Sequence, residues 1–102
     1  MNPVEALIYV LREYLKVHGK HIESMCRVLG QECIRIEVGK VLYRYHSEVT
    51  GYSRFEDIIS EILSSEELQR KLMEYGVRVE VDEESGTKYL VVDISSLRKL
   101  MT

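Results

Sequence analysis

Several sets of side chains in this sequence have the types and spacing to do chemistry. Gly39-Lys40 carries the end of a phosphate-binding loop, in which backbone amides and a lysine cradle phosphate oxygens. That loop needs a glycine five residues before Gly39 and a Ser or Thr after the lysine. Ile34 and Val41 stand at those places, so the loop is absent. His18, His21 and Cys26 are metal-ligating types, but the two histidines straddle Gly19 and no shared helical face is assured. His46-Ser47 pairs a base with a hydroxyl, yet lacks the flanking glycines of a nucleophile elbow. Asp57 and Glu61 are four residues apart, a spacing that suits acid–base work and equally the solvated face of an acidic helix. Cys26 and Cys33 are seven apart, so neither a C-x-x-C redox pair nor a zinc ribbon is present. Two roles stand for them: small buried hydrophobes, or a disulfide closed over a turn at Gly30, as occurs in intracellular hyperthermophile proteins. No catalytic residue, metal ligand, cofactor or small-molecule substrate is assigned, and the chain is read as non-enzymatic.

The elements that must position these residues follow from periodicity. Asn2 caps a helix with Pro3 at its first position and Glu5 completing a capping box. Val4, Leu7, Ile8, Leu11, Tyr14 and Leu15 recur at helical spacing. His18-Gly19 is expected to close that helix. A shorter helix over 20–29 then completes an N-terminal helical hairpin, and Gly30 ends it. Cys33 to Val38 alternates apolar and charged residues as a strand does. Beyond it two readings compete. Val38, Val41, Leu42, Tyr45 and Val49 fit a helix over 38–49; alternatively Gly39-Lys40 is a hairpin turn with 41–45 as the return strand. Ser53 with Glu56, and Ser64 with Glu67, are capping boxes for two further helices. Val77, Val79 and Val81, then Leu90, Val92 and Ile94, alternate around the polar turn 82–87, the mark of an antiparallel hairpin. Ser95-Ser96 is expected to cap a last short helix carrying Leu97, Leu100 and Met101.

Composition narrows the function classes. A chain of 102 residues and 11.9 kDa makes one domain, 1–102. It divides into the helical hairpin 1–30, a region 33–94 and a terminal helix 95–102. Apolar residues make up 45% and charged ones 30%, with a single proline, which excludes a disordered or collagenous chain. No apolar run reaches the roughly 18 residues of a membrane span, and the first residues lack a signal-peptide pattern. A cytoplasmic protein is expected. Only Asn2, Gln31 and Gln69 carry amide side chains, against abundant Lys, Arg and Glu; this bias points to a thermophilic, archaeal source.

A strand, helices and a terminal hairpin follow the chain order of a winged helix–turn–helix. Ile34 to Tyr45 resembles the strand and helix that open the winged-helix domain of archaeal origin-recognition-type replication initiators. Ser53 to Ile62 resembles the recognition helix of that domain, and Gly76 to Ile94 its wing. The similarity spans about residues 33–94 in small blocks. The chain departs from those initiators in having no ATPase module and an additional helix over 66–75. Its wing tip, Asp82-Glu83-Glu84-Ser85-Gly86, is acidic where theirs is basic and Gly-rich. The resemblance implies a small α+β winged-helix-type domain that binds double-stranded DNA in transcription or replication. The residues it would use are Lys40, Arg44, Tyr52, Ser53, Arg54, Arg70 and Lys71. Lys40, Arg44 and Arg54 would converge at the turn before the recognition helix, with Arg54 foremost.

Charge opposes that reading. Residues 1–52 hold seven Lys/Arg and six Asp/Glu, a net of +1. Residues 53–102 hold seven against eleven, a net of −4. Duplex affinity comes largely from cations that neutralise phosphates, and here the half that would meet DNA is acidic. The alternative is a non-enzymatic protein-interaction or assembly module on the same scaffold, with homodimerisation among its uses. One feature separates the two. A positive patch formed by Lys40, Arg44 and Arg54 favours DNA; carboxylates around them favour a protein partner.

Overall fold

The computed structural model describes residues 1–102. It is an α+β fold with four α-helices and one three-stranded antiparallel sheet. The first helix, α1 (Pro3–Leu29), opens with the capping box in place. The Asn2 side chain accepts from the Glu5 N–H at 2.8 Å, and the Asn2 N–H donates to Glu5 Oε1 at 3.1 Å. Satisfying two otherwise unpaired donors fixes the start of the helix.

α1 is continuous, which corrects the helical hairpin expected over 1–30. Gly19 lies inside the helix, buried, and does not end it. Its missing side chain makes room for Met101: a Cβ on Gly19 would lie 3.2 Å from Met101 Cγ. The glycine therefore serves a helix–helix contact and not a cap. Gly30 is the true terminator, left-handed at φ 67°, with its N–H on the Cys26 carbonyl.

After Gly30 comes β1 (Cys33–Glu37). The stretch that admitted either a helix or a return strand is neither. It holds two short 3₁₀ turns, Leu42–Tyr45 and Glu48–Thr50. Side chains organise these turns. Thr50 Oγ1 donates to the Ser47 carbonyl and bonds His46 Nε2, both at 3.0 Å. Tyr45 Oη meets His18 Nε2 of α1 at 2.7 Å, with Tyr14 edge-on to the Tyr45 ring. Local polar bonds of this kind compete with a regular helix.

α2 (Phe55–Leu63) begins two residues beyond Ser53. Arg54 occupies the N-cap without a side-chain bond, so the Ser53 capping box is not formed. α3 (Glu66–Met73) is capped by Ser65, which accepts from the Leu68 N–H at 3.2 Å. The cap falls one residue after the expected Ser64, whose hydroxyl instead donates to the Glu61 carbonyl. β2 (Val77–Val81) and β3 (Lys88–Asp93) form the expected hairpin. α4 (Ile94–Met101) follows at once with Asp93 at its N-cap, so Ser95-Ser96 lie inside the helix and do not cap it.

The sheet order is β1-β3-β2, both pairings antiparallel. Ile34 faces Val92 and Ile36 faces Leu90 across one seam, Val77 faces Val92 across the other. These side chains share one sheet face. Ile36, Leu90, Val92 and Val77 join Leu7, Leu11 and Leu15 of α1, Ile58 and Ile62 of α2, Leu72 of α3, and Leu97 and Leu100 of α4 in a single buried core, with Ile34 half-buried against it. No helix is long and apolar enough to cross a membrane.

Candidate functional site

The residues the sequence singles out fall in two places: between β1 and the turn into α2, and on α3, which packs against α2 and β2. Lys40 sits in the turn after β1 and Arg44 in the first 3₁₀ turn; both are exposed and neither forms an ion pair. Gly39, Tyr43, His46, Ser53, Arg54 and Glu56 line a shallow cleft, and the side chains of Lys40 and Arg44 take no part in it. Ser53 and Arg54 are thus brought together with His46, beside Gly39 and Tyr43, the chain neighbours of Lys40 and Arg44.

Arg54 is already occupied. Its Nη2 lies 2.6 Å from Glu56 Oε2. Tyr52 is half-buried and donates its hydroxyl to Glu61 Oε2 at 2.9 Å. Burial pushes the Tyr52 phenol above its ordinary value, and the bond to the Glu61 carboxylate adds to the shift. On α3, Lys71 reaches Glu67 at 3.6 Å, one helical turn back. Arg70 is exposed with no carboxylate partner.

The surroundings of these cations are acidic. Across 54–75 the three cations Arg54, Arg70 and Lys71 stand against six carboxylates, Glu56, Asp57, Glu61, Glu66, Glu67 and Glu74, a net of −3. Glu66, Glu67 and Glu74 are exposed on α3 or at its end. The hairpin tip adds Asp82, Glu83 and Glu84, all exposed, with no cation from 82 to 87. The neutralisation is partly legible in the sequence, since Glu67 and Lys71 have ion-pair spacing on a helix; the Arg54–Glu56 contact depends on where α2 starts.

No group of three or more His, Cys, Asp or Glu residues comes together in a way that would hold a metal ion. His18 is engaged with Tyr45 across the fold. Cys26 and Cys33 are both free thiols, one buried and one half-buried. They line the same apolar groove, of about 430 Å³, between the last turns of α1 and the edge of β1. Sequence reasoning had no signal for this groove, because its walls come from two elements that meet only in the fold. Burial raises the Cys26 thiol above its usual range, with nearby Cys33 reinforcing the shift. A thiol shifted in that direction is a poor nucleophile at neutral pH.

No family model, curated protein or solved structure matches the chain.

Proposed function

We propose that the chain is a non-enzymatic assembly module of winged-helix type whose helix–turn–helix face docks a basic protein surface. Support for the scaffold comes from its order: a strand, two helices joined by Ser64-Ser65, and a hairpin whose second strand lies between the other two. In a helix–turn–helix the second helix faces the ligand. Because 3₁₀ turns replace the helix expected over 38–49, α2 becomes the first helix of the pair, and in this reading α3, not the helix after Ser53, takes the recognition position with the hairpin β2–β3 as the wing beside it.

The carrying observation is the charge of that face. α3 and the wing tip present Glu66, Glu67, Glu74, Asp82, Glu83 and Glu84 to solvent. Arg54 and Lys71, which DNA docking would need free, are paired with Glu56 and Glu67. A duplex backbone is repelled by such a surface, whereas a lysine-rich protein surface is attracted and steered to it. Helix-pair scaffolds serve either purpose, so the decision rests on the surface and not on the fold.

The test is fluorescence anisotropy at about 50 mM salt, where phosphate contacts are strongest, with a labelled duplex and a labelled lysine-rich peptide. The expected result is saturable binding of the peptide, weakened by Glu66→Lys with Glu67→Lys, and no binding of the duplex. Duplex binding that is lost in Arg54→Ala would overturn the proposal in favour of DNA recognition through Lys40, Arg44 and Arg54.

A further inference from the structure

The sheet has two edges, β1 and β2. The Val38 N–H donates to the Lys88 carbonyl and the Ile94 N–H to the Glu32 carbonyl. With the register Ile34↔Val92 and Ile36↔Leu90, alternation along an antiparallel ladder turns residues 34, 36 and 38 toward β3. The N–H and C=O groups of Cys33, Arg35 and Glu37 therefore point to the open edge. Of these, the Glu37 carbonyl already accepts from the Val41 N–H at 3.3 Å and keeps its second lone pair. An open edge of this kind is a template for another strand.

The β1 edge is self-complementary. Laid antiparallel to itself about Ile36, the segment 34–38 places Arg35 opposite Glu37 of the second copy, and Glu37 opposite its Arg35. The same register sets Ile34 against Val38, and Ile36 against Ile36. Arg35 and Glu37 are the residues whose backbone groups face outward, so the charge match and the hydrogen-bonding pairs fall at the same positions. Glu37 has no ion partner within the chain; Arg35 reaches Glu80 at 3.8 Å and lies over the Tyr89 ring, 4.3 Å from its centre, with its side chain still more than half exposed. Gly39, at the end of the pairing, opens on empty space.

β2 has a similar pattern, Val77 to Val81, but its charges are already spent: Arg78 bonds Glu80 at 3.1 Å within the strand. Only β1 borders the apolar groove lined by Ile22, Met25, Cys26, Ile34 and Ile36. Met25, Val28 and Leu29 stand exposed along α1 nearby, Val28 to 85%. Exposed apolar side chains beside an open strand edge favour an interface.

We infer that two copies of this chain join through their β1 edges, antiparallel about Ile36, into a closed dimer with one continuous six-stranded sheet. The contact is isologous, so it satisfies itself and stops at two. It uses no side chain of α3 or of the acidic tip, although Glu37 and Gly39 share a cleft with Ser85, Gly86 and Thr87 of the hairpin, and sedimentation of the chain alone reads it with no ligand on that face.

Sedimentation equilibrium on the full chain tests this. Wild type is expected at twice 11.9 kDa. Arg35→Glu and Glu37→Arg each set like charges opposite one another twice, and each should weaken self-association by about 100-fold or more. Mixed one to one, the two variants restore both Arg–Glu pairs and should form a heterodimer. That mixture guards against a variant that merely misfolds, because a misfolded chain is not rescued by its complement. A wild-type monomer at millimolar concentration overturns the inference. So does open-ended growth, which would mean that β1 meets β2 head to tail. Variants that stay dimeric, or a mixture that stays monomeric, overturn it as well.

Discussion

Gly76→Ala probes the joint on which the hairpin and the terminal helix meet. Gly76 has φ 74°, a left-handed conformation that costs a residue with a Cβ about 1–2 kcal/mol. Its carbonyl accepts from the Asp93 N–H at 2.9 Å, which locks it to the end of β3. A Cβ built there lies 2.6 Å from Ser96 Cβ, with the Ser96 hydroxyl also in its way. Ser96 is in the first turn of α4, whose Leu97 and Leu100 are buried in the core, so the helix cannot simply swing aside. Overpacking of this sort costs about 1–3 kcal/mol. The two effects together destabilise by about 2–5 kcal/mol, a fall in Tm of roughly 10–30 °C for a domain of this size. Gly30→Ala is the control: φ there is 67°, but nothing lies within 4 Å of the new methyl group. It should cost only the conformational part, about 1–2 kcal/mol. Thermal melts and urea titrations of both variants, and of Gly76→Ala with Ser96→Gly, read the difference. The double variant should recover most of the difference, falling short of the Gly30→Ala level by the roughly 0.5 kcal/mol that a glycine in place of serine costs inside α4. Equal losses in the two single variants would refute the close approach of Gly76 to α4.

Three further outcomes are expected. Leu11→Ala, which empties a fully buried site on the core face of α1, should cost about 2–5 kcal/mol in urea titration. Asn2→Ala removes the acceptor for the Glu5 N–H and should cost about 1 kcal/mol, read by the same titration. The folded state holds the Cys26 thiol above its ordinary value of 9.0 and the Tyr14 phenol above 10.0, in both cases chiefly through burial. An acid whose pKa is raised by folding contributes its full stability below the unfolded value and loses it as pH rises through the folded one. The urea midpoint should therefore be level up to about pH 9 and fall above it, with a shallower fall in Cys26→Ala; a midpoint that rises with alkali would contradict the burial of these groups.

Much of the fold is legible in the sequence where the cause is local. The Asn2-Pro3-Val4-Glu5 start, the alternation of Val77, Val79 and Val81, and the left-handed Gly30 all depend on neighbours within a few residues. Gly19 misleads because a glycine that ends a helix and a glycine that admits another helix look the same, and Met101, which needs the space, comes from the far end of the chain. The stretch after β1 misleads for a related reason. Its apolar spacing suits a helix, but Thr50 bonds its own backbone and Tyr45 is drawn to His18 of α1. The cations of the candidate site were visible from their positions. The Glu67–Lys71 pair is visible from its helical spacing, whereas the Arg54–Glu56 contact and the groove beside β1 emerge only once α2 has a start and α1 has no break.

What the face made by α3 and the wing binds decides the function. The most direct measurement is a titration of the isotopically labelled chain with a duplex at about 50 mM salt, followed through its backbone amide resonances. The resonances of Glu66–Met73 and of the tip at 82–87 should stay in place as duplex is added, and should shift on addition of a lysine-rich peptide. Saturable duplex-induced shifts at those residues, collapsing as salt is raised, would contradict the protein-docking role.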